Sequence, residues 1–268
     1  MRIRLQDREI FYEVAGSGPP VMLLHGFGGD HTYWESQLKA LSPYFRVINY
    51  DQQGNGLSSR PSHGLTMADH VRDAYELIQA LGAGPTALVG FSQGGAIAMQ
   101  VALTHPESVR CLVMHDASTD FARPSLVTER RQALAPMIDT LEKNGMAAFA
   151  GPFTEGNFSP GFKVKRPEVW QRYRDMIARN DARTVILNLK AGAEQDTPPF
   201  NLELIRCPVL FVMGELDSLI PADKRERAQA SVKGSEMVVL KGIGHAAAAE
   251  DPEDFNRAVL DFLQRHAG

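Results

Sequence analysis

The sequence predicts an α/β protein, with a mostly parallel central sheet, helices on both faces and one helical insertion. Three observations predict it. Short apolar runs at 21–24, 46–50, 86–89, 110–115, 208–214 and 236–240 alternate with helix-like stretches. Those runs are apolar without a polar alternation, as strands covered on both faces must be. The alternation stops between residues 117 and 200, where no strong buried-strand pattern occurs. The expected division is a core of residues 1–116 and 201–268 and an insertion of residues 117–200.

Taken in order, residues 2–5 and 9–14 read as a strand pair with Asp7-Arg8 near the turn, and 16–20 as a loop. A strand at 21–24 runs into His25-Gly26-Phe27-Gly28-Gly29. Residues 33–41 read as a helix and 46–50 as a strand. Thr66-Met67-Ala68-Asp69 predicts a capping box for a helix ending near Gly82. The strand at 86–89 is followed by a sharp turn and a helix over 96–103, then a strand over 110–115. Inside the insertion, 124–144 reads as a helix with Pro124 in its first turn and Asn144-Gly145 at its stop. Residues 149–167 carry aromatics interrupted by Gly and Pro and read as irregular. Two helices follow, at 167–180 and 181–193, and 196–200 reads as an exit linker. Strands at 208–214 and 236–240 resume the alternation, and a helix from Pro252 is capped by Asp251.

The chemistry starts at Gly90-Phe91-Ser92-Gln93-Gly94, a G-x-S-x-G turn between strand and helix. A serine there is pushed out of the sheet, and flanking glycines let strand and helix pack closely. Its hydroxyl lies near a helix N-terminus, whose free N–H groups can hold developing negative charge. A hydroxyl nucleophile needs a base, and the base needs an orienting acid. Both follow in that order. Asp217 stands after the strand 208–214, and His245 ends Lys241-Gly242-Ile243-Gly244-His245 after the strand 236–240. Loops at the carboxyl ends of parallel strands share one edge of a sheet, so Ser92, Asp217 and His245 are expected together. Asp116 and Glu215 are rival acids. The amides of Phe27 and Gln93 are the expected oxyanion hole, each donor contributing about 3 kcal/mol to the transition state.

These residues resemble the α/β-hydrolase family, from about Arg2 to the carboxyl terminus. His25-Gly26-Phe27-Gly28-Gly29 is similar to the family's HGxxG-type turn, and residues 90–94 to its nucleophile elbow. Residues 214–217 resemble the acid-bearing loop, 242–245 the histidine loop and 250–255 the entry to the last helix. Asp51-Gln52-Gln53-Gly54-Asn55-Gly56-Leu57-Ser58 resembles the D-x-R-G-x-G-x-S turn, with Gln53 in place of the usual arginine. That departure bears on the ion pairing of the turn. The resemblance implies an α/β-hydrolase fold and makes residues 117–200 a helical cap that excludes water and shapes the pocket. Serine at the elbow argues against the dehalogenase and epoxide-hydrolase branches, which place aspartate there.

Composition narrows the alternatives. The 268 residues carry a net charge of −4 with no basic stripe, which argues against nucleic-acid binding. The amino terminus alternates straight into a strand without a signal-like layout, so a cytoplasmic location is expected. Residues 82–106 lack charged side chains, but Gly84-Pro85 and the elbow glycines break them up, so no membrane span is expected. Cys111 and Cys207 read as small core residues. No Cys/His cluster has metal-ligand spacing and no phosphate-binding glycine motif occurs, so no metal and no cofactor are expected.

Gly26, Phe91 and Trp170 are the candidate substrate-binding residues. Phe27, Phe149, Phe153, Phe158 and Phe162 either line a pocket or pack the cap. Arg179, Arg183 and Lys190 either hold a substrate carboxylate or face solvent. His25 reads as structural, His115 as a border of the pocket, and the remaining histidines as packing or surface residues. The expected function is a cofactor-free serine hydrolase acting on a small to medium carboxylic ester or lactone. The alternatives are carbon–carbon bond hydrolysis of a diketone-like ring-cleavage product, perhydrolysis, and a non-enzymatic small-molecule receptor that keeps the triad. Monomer and homo-oligomer both remain open.

Overall fold

The computed structural model describes residues 1–117, 127–194 and 201–268. Its strands are β1 (Arg2–Leu5), β2 (Arg8–Ala15), β3 (Pro20–Leu24), β4 (Arg46–Tyr50), β5 (Thr86–Phe91), β6 (Val109–His115), β7 (Val209–Gly214) and β8 (Glu236–Leu240). They form one eight-stranded sheet in the order β1-β2-β4-β3-β5-β6-β7-β8. β2 pairs antiparallel with β1 and β4, and every pairing from β4 to β8 is parallel.

The helices of the first half are α1 (Glu35–Leu41), α2 (Met67–Ala80) and α3 (Gln93–Thr104). Between β6 and β7 come α4 (Val127–Glu155), α5 (Phe162–Lys165), α6 (Pro167–Ala178) and α7 (Ala182–Glu194). The chain closes with α8 (Ala222–Ser231), the single turn α9 (Ala247–Glu250) and α10 (Pro252–His266). Among the described residues no helix is long and apolar enough to cross a membrane.

Strand side chains alternate between two cores, which is why the central strands are apolar throughout. Ala87, Val89 and Phe91 of β5 join the cluster that holds Leu41 of α1 and Phe255, Val259 and Phe262 of α10. Leu88 joins the opposite cluster, with Leu77 of α2 and Ile97 and Val101 of α3. Each such buried Val, Leu, Ile or Phe side chain contributes about 1.5–3 kcal/mol. Helix starts follow the expected chemistry. Thr66 and Asp69 form the reciprocal capping box of α2, and the Asp251 carboxylate accepts from Asp254 N–H at the start of α10.

The strand order positions the site. From β3 the chain goes to β4 on one side; β5 returns to the other side of β3. Helix α1 after β3 and helix α3 after β5 cover opposite faces. The turns after β3 and β5 therefore flank a crevice at the carboxyl edge of the sheet, where ligands bind in open α/β sheets.

One expectation is corrected. Gly145 does leave helical geometry, with φ 72° and ψ −173°, but the helix resumes and runs to Glu155. Residues 149–155 are therefore helical rather than irregular. Met146, Phe149 and Ala150 are buried and Phe153 partly so, a spacing of three and four residues. That helical period is masked in the sequence by Gly151 and Pro152. Pro124 and the linker 196–200 lie outside the described residues.

Candidate active site

Ser92 connects β5 to α3 with φ 50° and ψ −113°, a conformation that side chains rarely adopt. Its neighbours force it there. A side chain at Gly90 would strike the backbone of Gly94 and Gly95, and one at Gly94 would strike the carbonyls of Leu24 and His25. Helix α3 thus presses against the ends of β3 and β5 at once. The Ser92 amide donates to His115 O at 2.9 Å, tying the elbow to β6.

The histidine loop and the acid loop are packed backbone to backbone. Gly214, at the end of β7, has no room for a side chain beside the carbonyls of Ile243 and Gly244. Leu216 N–H donates to Ile243 O at 2.8 Å. The Glu215 carboxylate accepts from Gly242 N–H at 2.9 Å, so this rival acid closes the histidine loop instead of reaching His245.

The structure brings Ser92, His245 and Asp217 into one hydrogen-bonded row. His245 Nδ1 lies 2.8 Å from Asp217 Oδ2, and His245 Nε2 lies 3.0 Å from Ser92 Oγ. The carboxylate only accepts, so Nδ1 carries the proton and Nε2 is free to accept from the serine hydroxyl. Asp217 Oδ1 accepts from Leu219 and Ile220 N–H at 2.8 and 3.1 Å. Burial works to raise the Asp217 pKa, but the bonds to His245 and the two amides outweigh it and hold the carboxyl below its usual range.

Asp116, the other rival acid, stands behind this row. Its Oδ1 accepts from Gly214 N–H at 2.8 Å, and one of its oxygens lies within 4.8 Å of ligand atoms of both Asp217 and His245. His115 is fully buried and reaches Tyr33 Oη at 2.9 Å through Nε2, so it packs beneath the site rather than bordering an open pocket.

The glycine turn after β3 is fixed by His25. Gln52 N–H donates to His25 Nε2 at 3.0 Å, and Nδ1 lies 2.8 Å from Gly26 O. Burial keeps this imidazole neutral by lowering its pKa. Among the described residues, neither the Phe27 nor the Gln93 amide donates to a protein acceptor. Both lie at the crevice, and the Gln93 amide opens α3, where no intrahelical acceptor exists.

The aromatic candidates divide. A side chain at Gly26 would strike the Phe91 ring. Phe91 is buried, stacked on Tyr33 and His115 at 4.6 and 4.7 Å and tilted 5.1 Å from His245, so it floors the site. Phe27 meets Phe153 edge-on at 5.9 Å, and Phe153 stacks on Phe149 of α4. Trp170 lies buried in α6 beneath Lys163 Nζ, and among the described residues no hydrogen bond or ring contact links it to Ser92 or His245. Arg179 pairs with Asp30 at 2.9 Å and Lys190 with Glu142 at 2.7 Å, while Arg183 is exposed. A surface cleft of about 290 Å³ between α6 and residues 32–36 contains no member of the row.

Two features escaped the sequence reading. In the turn carrying Gln53, the Asp51 carboxylate is held by His31 Nδ1 at 2.8 Å, by His31 N–H and by Leu57 N–H. The hydrogen bond to Asp51 raises the His31 pKa against its burial. Glu250 is buried and accepts from Gly244 N–H and Ser159 N–H, each at 3.0 Å, and from Ser159 Oγ. One carboxylate therefore joins the histidine loop to the segment after α4. Among the described residues, the groups spaced closely enough for a metal ion are Asp30–His31–Asp51 and Asp116–Asp217–His245. In the first, both carboxylates are already engaged, with Arg179, Thr32, His31 and Leu57.

Comparison with known proteins places this geometry. A family model described as "alpha/beta hydrolase fold" matches residues 19–252. The 2-hydroxy-6-oxo-6-(2'-aminophenyl)hexa-2,4-dienoic acid hydrolase of Metapseudomonas resinovorans is 29% identical over 97% of this chain and 89% of its own length. The structure of a thermophilic esterase from Thermogutta terrifontis superposes with a TM-score of 0.89 at 27% identity, over 99% of this chain and 98% of the esterase. An enol-lactonase from Burkholderia xenovorans LB400 gives a TM-score of 0.88 at 23% identity, over 98% and 100% of the two chains, and shares the fold.

Proposed function

The chain belongs to the alpha/beta hydrolase fold family, and we propose that it is a serine hydrolase of a small to medium carboxylic ester or lactone. One observation carries this reading: Ser92 Oγ, on a strained turn, lies 3.0 Å from an imidazole nitrogen whose partner nitrogen is held by a buried carboxylate. That is the arrangement a neutral hydroxyl needs to become a nucleophile.

The steps follow from it. Ser92 Oγ attacks the carbonyl carbon while its proton passes to His245 Nε2. Asp217 stabilises the imidazolium by about the strength of a charge-assisted hydrogen bond. The Phe27 and Gln93 amides hold the tetrahedral oxyanion, and each is worth about 3 kcal/mol. His245 Nε2–H then protonates the leaving alkoxide, giving an acyl-serine and an alcohol. Water attacks the acyl carbon, giving its proton to His245, and collapse of the second tetrahedral species returns the proton to Ser92 Oγ. The helical insertion between β6 and β7 acts as a cap, excluding water and presenting the Phe149–Phe153 wall beside Phe27.

The esterase neighbour supports the ester assignment. The Metapseudomonas relative favours a second reading, because its named substrate is an enol-keto acid of the diketone-like class. Carbon–carbon hydrolysis of such an acid asks for a cation to hold the carboxylate. Arg179 and Lys190, two of the three cap cations singled out above, are already paired, which favours an uncharged ester.

Steady-state hydrolysis of p-nitrophenyl esters from acetate to decanoate, with Ser92→Ala as control, tests the proposal. Multiple turnover lost in Ser92→Ala, together with fluorophosphonate labelling of Ser92, is the expected result. Labelling without ester turnover moves the assignment to the carbon–carbon reading. Turnover that survives Ser92→Ala removes the triad altogether.

A further inference from the structure

Asp116 is a buried carboxyl that the proposed mechanism does not use. It follows β6 in a left-handed conformation, φ 41°, unusual for a residue with a side chain. Its residue is fully buried, and its carboxyl lies within 4.8 Å of those of Asp217 and His245's ring nitrogen. Two buried carboxyls this close cannot both ionise without a cation between them. Arg225, a cation that acts on Asp116, spends its guanidinium on the carbonyls of Gly214 and Glu215. Glu215 itself points to Gly242 N–H.

The donor inventory decides which carboxyl keeps the charge. Asp217 accepts from Leu219 N–H, Ile220 N–H and His245 Nδ1. Among the described residues, Asp116 accepts from Gly214 N–H alone. Its Oδ2 lies 2.9 Å from His115 Nδ1, but the ring N–H is not aligned to donate, so among the described residues that oxygen has no protein donor. His115 is neutral, because its Nε2 accepts from Ala248 N–H at 3.3 Å and Tyr33 Oη, and burial, then His245, push its pKa down.

We propose that Asp116 is a positioning residue whose carboxyl keeps its proton and donates it to the Asp217 carboxylate, behind His245. Burial, then the Asp217 charge, hold the Asp116 carboxyl well above the usual range, in accord with the donor inventory. The consequence rests on the triad reading above. A single negative charge beside His245 stabilises the imidazolium during turnover. The proton on Asp116 keeps the count at one and fixes the face Asp217 turns toward the ring.

The test is carboxyl-13C aspartate NMR of the whole protein, with kinetics alongside. The wild-type spectrum at pH 8 is expected to hold one protonated aspartate signal, missing in Asp116→Asn. Asp116→Ala is expected to lower kcat about tenfold at unchanged KM, because Asp217 loses a donor. Asp116→Asn restores a donor amide and recovers most of that loss, with the acidic limb of kcat/KM unmoved. A wild-type spectrum with no protonated aspartate at pH 8 overturns the proposal, whether or not any variant folds. So does an acidic limb that Asp116→Asn shifts to lower pH, since that means a charge was removed. If Ser92 proves unreactive while the protonated signal is present, the triad reading falls and the Asp116 proton stands.

Discussion

Replacing Asp217 with asparagine keeps size and shape, yet it is expected to lower kcat about ten-thousandfold, close to 5 kcal/mol of transition-state stabilisation. The structure dictates why. Leu219 and Ile220 N–H both point at Asp217 Oδ1, at 2.8 and 3.1 Å. An asparagine must put its carbonyl oxygen there, because its NH2 would meet two donors. The NH2 is then forced into the Oδ2 position, 2.8 Å from His245 Nδ1. Nδ1 has to accept, the ring proton moves to Nε2, and Nε2 faces Ser92 Oγ with nothing to accept the hydroxyl proton. The imidazolium also loses its counter-charge in a site where His245 is 4% exposed. The assay is ester turnover by Asp217→Asn and by Asp116→Asn, with thermal unfolding to verify folding. A folded Asp217→Asn enzyme within tenfold of wild type refutes the tautomer argument. Loss of turnover in Asp116→Asn alone transfers the acid role to Asp116.

Three further outcomes follow from the same geometry. Ser92→Gly and Ser92→Ala are both expected to be inactive. The glycine variant should be the more stable by about 1 kcal/mol in denaturant titration, because only glycine accepts φ 50° and ψ −113° without strain. Glu250→Ala strands Gly244 N–H, Ser159 N–H and Ser159 Oγ, so about 3 kcal/mol of stability and most of kcat should go, while Glu250→Gln keeps both within a few-fold; equal loss in the two variants rejects the link. His70 is buried, and burial, then the nearby His25, lower its pKa to about 4 from 6.5. Its stabilising contribution is therefore complete above pH 6.5 and is lost as pH falls toward 4, up to roughly 3 kcal/mol. His70→Gln should flatten the acid side of the melting-temperature profile, and an unchanged profile assigns the acid sensitivity elsewhere.

The core strands were legible because each carries its own burial pattern. β4 (Arg46–Tyr50) and β8 (Glu236–Leu240) occur at the residues the apolar runs predict. Thr66 and Asp69 announce α2 because a cap is a local event between neighbours in sequence. The mutual approach of Ser92, Asp217 and His245 was legible because each follows a strand of a parallel sheet, and the carboxyl ends of such strands share an edge. The continuation of α4 past Gly145 was hidden by Gly151 and Pro152, whose propensities oppose a helix that the buried positions 146, 149 and 150 impose. Contacts made across the fold left no local trace. His31 and Asp51 are twenty residues apart, and Ser159 and Glu250 ninety-one. A lone glutamate closing the run Ala246-Ala247-Ala248-Ala249 is a signal of a buried carboxylate, but it does not say which donors the carboxylate serves.

Those cross-fold contacts tie the insertion to the loops that carry the proposed chemistry. Asn180, just past α6, donates to Gly28 O at 2.7 Å, in the turn that carries the Phe27 amide. Arg179 pairs with Asp30 two residues further on. On the opposite side Ala246 N–H donates to Asn157 O at 2.7 Å, and Glu250 binds Ser159 and Gly244 together. The insertion thus grips the sequence neighbours of Phe27 and of His245, one grip on each side of Ser92. A rigid-body shift of α6 pulls on the carbonyl of Gly28, and a shift of residues 157–159 pulls on the backbone next to His245. Peptide planes turn as units: the Gly28 carbonyl turns with Gly29 N–H, which donates to Gly26 O at 3.1 Å, and the Gly26 carbonyl turns with the Phe27 amide. Oxyanion donors act only when held within a few tenths of an ångström of their aim. Under the proposed mechanism, a substrate that reshapes the insertion would therefore adjust the Phe27 turn and His245 in the same movement, coupling what the pocket accepts to how well the site reacts.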